Sequence, residues 1–146
     1  MTITDFNRKL SEAKEKNVPG DIDDDPFYTS THGYKLKMRL QLNDRREQYK
    51  DQLGVYVCVM KSDHDAILSW PFKKKYTFTL IDQQDNEEER KNITHTVTPE
   101  GEDEFKKPIE KENKGRGKPA FVSHATLKTR KYIEDGTVFI TVTIEP

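Results

Sequence analysis

Three cations and two glycines alternate through residues 114–118, KGRGK, inside the stretch NKGRGKPAFV. Lys114, Arg116 and Lys118 around Gly115 and Gly117 offer three kinds of chemistry: a phosphate cradle, a grip on nucleic acid, or a sheet edge where another backbone comes close. A phosphate-binding loop of the G-x-x-x-x-G-K-[ST] type lies between a parallel strand and a helix. Here the spacing differs, Pro119 stands where Ser or Thr belongs, and the stretch runs into a strand-like segment. The glycines therefore read as room for a partner backbone, with the three cations as selectivity charges. The acidic stretch DIDDDP puts Asp21, Asp23 and Asp25 at the first, third and fifth positions of a calcium loop. Pro26 and His32 then occupy the places where such a loop needs Gly and Glu, so a solvated acidic turn is expected. His32, His64, His95 and His124 share no metal-ligand spacing, and a single cysteine cannot complete a zinc site. No Ser lies in a G-x-S-x-G elbow, and Cys58 sits within the apolar run LGVYVCVM, where it reads as a small buried hydrophobe. No metal, no cofactor and no enzymatic activity are expected.

The composition narrows the partners. With 25 basic and 26 acidic residues among 146, the net charge is -1. Nucleic-acid-binding domains usually carry a clear basic excess, and a polybasic membrane anchor would need one too. No apolar run approaches the ~20 residues of a membrane span. One cysteine and no recognisable signal peptide make a cytoplasmic protein the default. The length suits one domain, 1–146.

Period-two alternation dominates the positioning elements. In YKLKMRLQL, Tyr34, Leu36, Met38, Leu40 and Leu42 face one way, and Lys35, Lys37, Arg39 and Gln41 the other. TVFITVTI repeats the pattern, with Val138, Ile140, Val142 and Ile144 on the apolar side. LGVYVCVM (53–60), KYTFTLI (75–81) and AFVSHATL (120–127) are rich in β-branched and aromatic residues. Strand 53–60 is apolar on both faces and should be central, with Tyr56 among its outward residues. An all-β antiparallel sandwich follows, each sheet burying one face. FNRKLSEAKEKN predicts one or two helical turns. The long polar connection 82–119 is expected to hide short strands near NITHTVT and EFKKPI.

Taken in order, DFNRKLSEA, PFYTSTHGYKLKMRLQLN, LGVYVCVMKSDHDAILSWPFKKKYTFTLIDQ, EFKKPI, GKPAFVSHATL and YIEDGTVFITVTI closely resemble the C-terminal (TRAF-C, or MATH) domain of tumour-necrosis-factor-receptor-associated factors. The resemblance covers nearly the whole chain. It implies a non-catalytic adaptor that docks short linear peptides of receptor tails or adaptor proteins, extended along a sheet edge. It also implies an antiparallel sandwich of the TRAF-C/MATH type with seven to eight strands, the first in doubt because Met1-Thr2 stands directly before Ile3. A homotrimer is implied only if a coiled coil precedes the domain, and no RING, zinc-finger or coiled-coil segment is recognised within it. Carried over position by position, the contacts to an acidic peptide residue fall on Arg39 and Gln41, where the family has Arg and usually Tyr. Arg45 falls where Asp is common, and Tyr56 stands at an aromatic pocket. Glu102, Asp103 and Glu104 replace serines that bond a glutamine, and Lys114, Gly115, Arg116, Gly117 and Lys118 align with the peptide-pairing edge. Acid for serine favours a basic or amide peptide side chain, whereas Arg116 and Lys118 favour an acidic one, so a charge-patterned ligand is expected. Substrate capture for ubiquitination, as in other MATH proteins, and a carbohydrate-binding sandwich are the alternatives.

Overall fold

A computed structural model describes residues 1–146. Its elements in chain order are β1 (Thr2–Ile3), α1 (Phe6–Lys16), β2 (Asp21–Asp23), β3 (Phe27–Tyr28), β4 (Lys35–Gln41), β5 (Gln52–Met60), β6 (Tyr76–Leu80), β7 (Ile93–Val97), β8 (Arg116–Ser123) and β9 (Val138–Ile144). One sheet runs β1-β9-β6-β7; the other runs β2-β4-β5-β8, with β3 also on β4, and every pairing is antiparallel. This is the expected all-β sandwich. The count reaches nine because β1, β2 and β3 are only two or three residues long, and Thr2 and Ile3 pair with Phe139 and Val138 ahead of the helix.

The alternation places the side chains as anticipated. Leu36, Met38, Leu40 and Leu42 are buried on one face, and so are Tyr76, Phe78 and Leu80 on β6. β5 lies between β4 and β8, and its run Val55, Val57, Cys58 and Val59 is buried on both faces, as a central strand requires. Phe72, Tyr76 and Phe105 stack across the middle of the core, with ring centroids 6.1–6.5 Å apart.

Four local readings change. The helix runs three turns rather than one or two, because Phe6 and Ala13 bury its inner face and Asn17 closes it in the left-handed region. EFKKPI contains no strand: Phe105 is fully buried and anchors the 3-10 turn Asp103–Phe105. DIDDDP is not a free turn, because Asp21–Asp23 forms the edge strand β2 on β4. β8 begins at Arg116, so most of the basic stretch is strand rather than loop.

Candidate peptide-docking groove

Three shallow pockets run into one another across the outer face of the β2-β4-β5-β8 sheet. The first, of about 280 Å³, is lined by Asp21, Arg39, Gln41, Arg46, Tyr56 and Gly115. The second, of about 360 Å³, shares Arg46, Tyr56 and Gly115 and adds Glu104, Arg116, Gly117 and Pro119. The third, of about 350 Å³, shares Glu104 and adds Asp103, Asn113 and Lys114. The groove ends beside the outer edge of β8, which has no strand partner on that side.

Each wall has a local cause. Arg39 and Gln41 face out because Leu36, Met38 and Leu40 are drawn in. Tyr56 stands opposite Arg39 on β5 and opposite Gly117 on β8, so its ring is the half-buried centre of the floor. The acidic turn Glu102–Glu104 is pinned by Phe105, whose carbonyl accepts the Phe72 amide at 2.8 Å. Asn113 ties that turn to the approach of β8: its side-chain amide donates to the Glu104 and Lys106 carbonyls at 3.0 and 2.7 Å, and its backbone N–H donates to Val59 at 2.8 Å. The Tyr76 hydroxyl donates to the Arg116 carbonyl at 2.7 Å, fixing the start of β8 against the other sheet.

Gly115, just before β8, and Gly117 within it have a different purpose from the one anticipated. A Cβ on Gly117 would stand 1.9 Å from the Val55 carbonyl oxygen, and one on Gly115 would stand 2.8 Å from the Tyr56 Cβ. The space they leave is taken by β5 of the same sheet, not kept open for a guest.

Electrostatically the floor is closed upon itself. Arg39 donates from Nε and Nη2 to the two oxygens of Asp23 at 2.7 and 3.0 Å, and from Nη2 to Glu112 at 3.2 Å. Lys37, nearly buried, bridges the same two carboxylates at 2.8 and 2.6 Å. Gln41 donates to Asp21 at 3.0 Å. Arg46 grips Asp44 at 2.7 and 3.1 Å with its guanidinium carbon 4.5 Å above the Tyr49 ring centre. The Arg39 hydrogen bond holds the Asp23 carboxyl down to about 2, against burial and with help from Lys37. Burial alone would lower Lys37, but its bonds to Asp23 and Glu112 outweigh that and raise it.

A pH prediction follows from this pair. The folded value of Asp23 lies below the ordinary 3.8. Its stabilisation is therefore complete above about pH 4 and disappears as pH falls toward about 2. The Asp23 side chain is 35% exposed, so solvent screening reduces the contribution. We expect Asp23→Asn to lose about 1 kcal/mol at about pH 6 and nothing at about pH 2, by urea unfolding. A loss that persisted at the acid end would contradict the pairing.

Among the residues singled out from sequence, Arg39, Gln41, Tyr56, Glu104, Gly115, Arg116 and Gly117 line the two pockets around Tyr56, and Asp103 and Lys114 lie at the far end. Glu102 sits behind Glu104 and pairs with Arg116 at 3.3 Å. Arg45 lines an adjoining polar pocket with Lys14, Asn17 and Asp51, which meets the first at Arg46. Lys118 stands opposite the buried Val55 and lines none of the three pockets; the pKa of His95 is lowered by burial first and by the Lys118 charge second. Asp21, Asp23, Asp44, Arg46, Glu112 and Asn113 were not anticipated. Acidic residues two apart in DIDDDP were the one available signal, since they share a strand face.

Comparison with known proteins agrees with this architecture. The family model of the TRAF/meprin MATH domain matches residues 21–141. TNF receptor-associated factor 5 of Homo sapiens is 35% identical over 146 residues, covering 98% of this chain and 25% of that protein. TNF receptor-associated factor 2 of Homo sapiens is 33% identical over 144 residues, covering 98% of this chain and 28% of that protein. The solved structure of Notothenia coriiceps TRAF5 superposes with a TM-score of 0.90 at 25% identity, over 99% of this chain and 71% of that one. The chain thus spans about a quarter of the length of these full-length relatives. No helix of the structure is long and apolar enough to cross a membrane.

Proposed function

Because the chain belongs to the TRAF/meprin MATH-domain family, we propose that residues 1–146 act as one non-catalytic docking module of a receptor-signalling adaptor in the cytoplasm. Its ligand is a short extended segment of a receptor tail or of another adaptor. The observation that carries this reading is the continuous groove from Arg39 past Tyr56 to Lys114, running beside the unpartnered edge of β8. An extended segment laid there gains main-chain hydrogen bonds from Arg116–Lys118 and side-chain contacts from the pockets. Pro119 has no N–H to give, which limits edge pairing to the residues before it.

The direct test is amide hydrogen exchange with synthetic receptor-tail peptides. A bound peptide is expected to slow exchange of the β8 amides before Pro119 and leave β6 and β9 unchanged. Tyr56→Ala, which removes the aromatic centre of the floor, is expected to weaken that peptide about tenfold. If no peptide protects residues 116–118, or if Tyr56→Ala binds as the parent does, the docking reading fails.

A further inference from the structure

A guanidinium on the floor of an open groove ordinarily meets a carboxylate through a paired fork of N–H donors. In this chain that fork is already closed on Asp23, with Glu112 and Lys37 completing a cluster of alternating charge. Arg46 is likewise held by Asp44, and Arg116 lies between Glu102 and Glu104 at 3.3 and 3.5 Å. Of the cations lining the groove, only Lys114 at the far end lacks a carboxylate within 4.0 Å.

The carboxylates near Tyr56 have the opposite standing. Asp21 accepts the Gln41 amide and has no cation within 4.0 Å. Glu104 has one cation contact, at 3.5 Å, and shares that cation with Glu102. Asp21 and Glu104 line the two pockets that Tyr56 joins. A ring between two under-neutralised carboxylates attracts a cation by charge and through its π face. A carboxylate there would reach Arg39 only by breaking its fork with Asp23, and would reach Arg46 and Arg116 only in competition with Asp44, Glu102 and Glu104.

We infer that the groove selects an extended segment whose residue over Tyr56 is lysine or arginine, and that Asp23 and Glu112 act as specificity determinants by denying Arg39 to a carboxylate. This inference rests on the docking reading and names the ligand class for it. A carboxylate on the same segment is met only at the Lys114 end.

The test uses a positional array of acetylated, amidated nonapeptides in which each position in turn is Lys, Gln or Glu. Binding is followed by amide chemical shifts at Tyr56 and Arg116–Lys118 and by titration. At the position over Tyr56, the parent is expected to bind the Lys peptide about tenfold more tightly than the Glu peptide, with the gap closing in high salt. Asp21→Asn should narrow that gap several-fold, and Asp23→Asn/Glu112→Gln should raise Glu-peptide affinity about tenfold. If that variant folds poorly because Lys37 loses its partners, adding Lys37→Gln removes the stranded charge. Equal or tighter binding of the Glu peptide by the parent overturns the inference and leaves docking intact. A Lys preference that both variants leave unmoved overturns the roles given to Asp21, Asp23 and Glu112. No shift at residues 116–118 with any peptide overturns the docking reading and this inference with it.

Discussion

Gly117→Ala is expected to lower stability by about 3 kcal/mol, although it adds one methyl group at a strand edge. The added Cβ would meet the Val55 carbonyl oxygen at 1.9 Å and the Tyr56 Cα at 2.8 Å. Both are backbone atoms of the central strand β5, which is held on its other side by β4, so neither can swing aside as a side chain would. Relief requires β8 to move off β5, losing pairing at the registers Tyr56–Gly117 and Val57–Arg116. The docking edge moves with it, so ligand affinity and stability should fall together. Gly101 separates this effect from ordinary backbone strain. It sits at a φ of +84° with nothing within 4 Å of an added Cβ. Gly101→Ala therefore carries only the conformational penalty, about 1 kcal/mol. Denaturant midpoints at unchanged slope read both values. A Gly117→Ala loss no larger than that of Gly101→Ala would refute the close approach.

The sheets were legible because their signal is local. Leu36, Met38 and Leu40 alternate with Lys37, Arg39 and Gln41, and burial of one set turns the other toward solvent. That parity put Arg39 and Gln41 on one face, whereas Tyr56 lies in a run apolar on both faces and was placed beside them only by the family resemblance. The partners of those residues were not legible, since they come from afar: Asp23 lies 16 residues before Arg39, and Glu112 lies 73 after it. A three-residue strand with one apolar member, Ile22, offers no periodicity to read, so DIDDDP looked like a turn. KGRGK looked like a loop for a related reason. Glycine is a poor strand former, but β8 needs it where β5 comes too close for any Cβ. EFKKPI misled in the other direction, because its buried Phe105 serves a 3-10 turn rather than a strand face.

The same distinction between local pattern and distant pairing sets the second large effect. Asp82→Ala is expected to destabilise the protein by about 3–5 kcal/mol, because Asp82 is a fully buried carboxylate that joins three chain segments. Its oxygens accept from Arg130 Nε at 2.7 Å, from the Lys91 amide at 3.0 Å and from the Lys131 amide at 3.2 Å. Its own N–H donates to the Asn92 side-chain oxygen at 2.8 Å. Burial pushes the Asp82 carboxyl upward, but Arg130 and the two amides outweigh it and hold it below its ordinary value. The stabilisation is therefore present above the unfolded carboxylate range and is lost as pH falls through the folded value. Alanine leaves the two amides and Arg130 Nε without an acceptor, while Arg130 Nη2 keeps the Glu89 carbonyl at 2.6 Å. Arg130 is 28% exposed and can turn toward water, so the amides account for most of the loss. Asp82→Asn keeps one carbonyl oxygen but presents an NH₂ to donors, and should fall between the parent and alanine. A double-mutant cycle with Arg130→Ala should return a coupling of about 1–3 kcal/mol in urea unfolding. Asp82 lies just beyond the end of β6, a strand of the sheet opposite the groove, so the folded fraction of Asp82→Ala should bind ligand as the parent does. Gly117→Ala should not, and equal binding losses in the two variants would mean that the groove senses global stability rather than the position of β8.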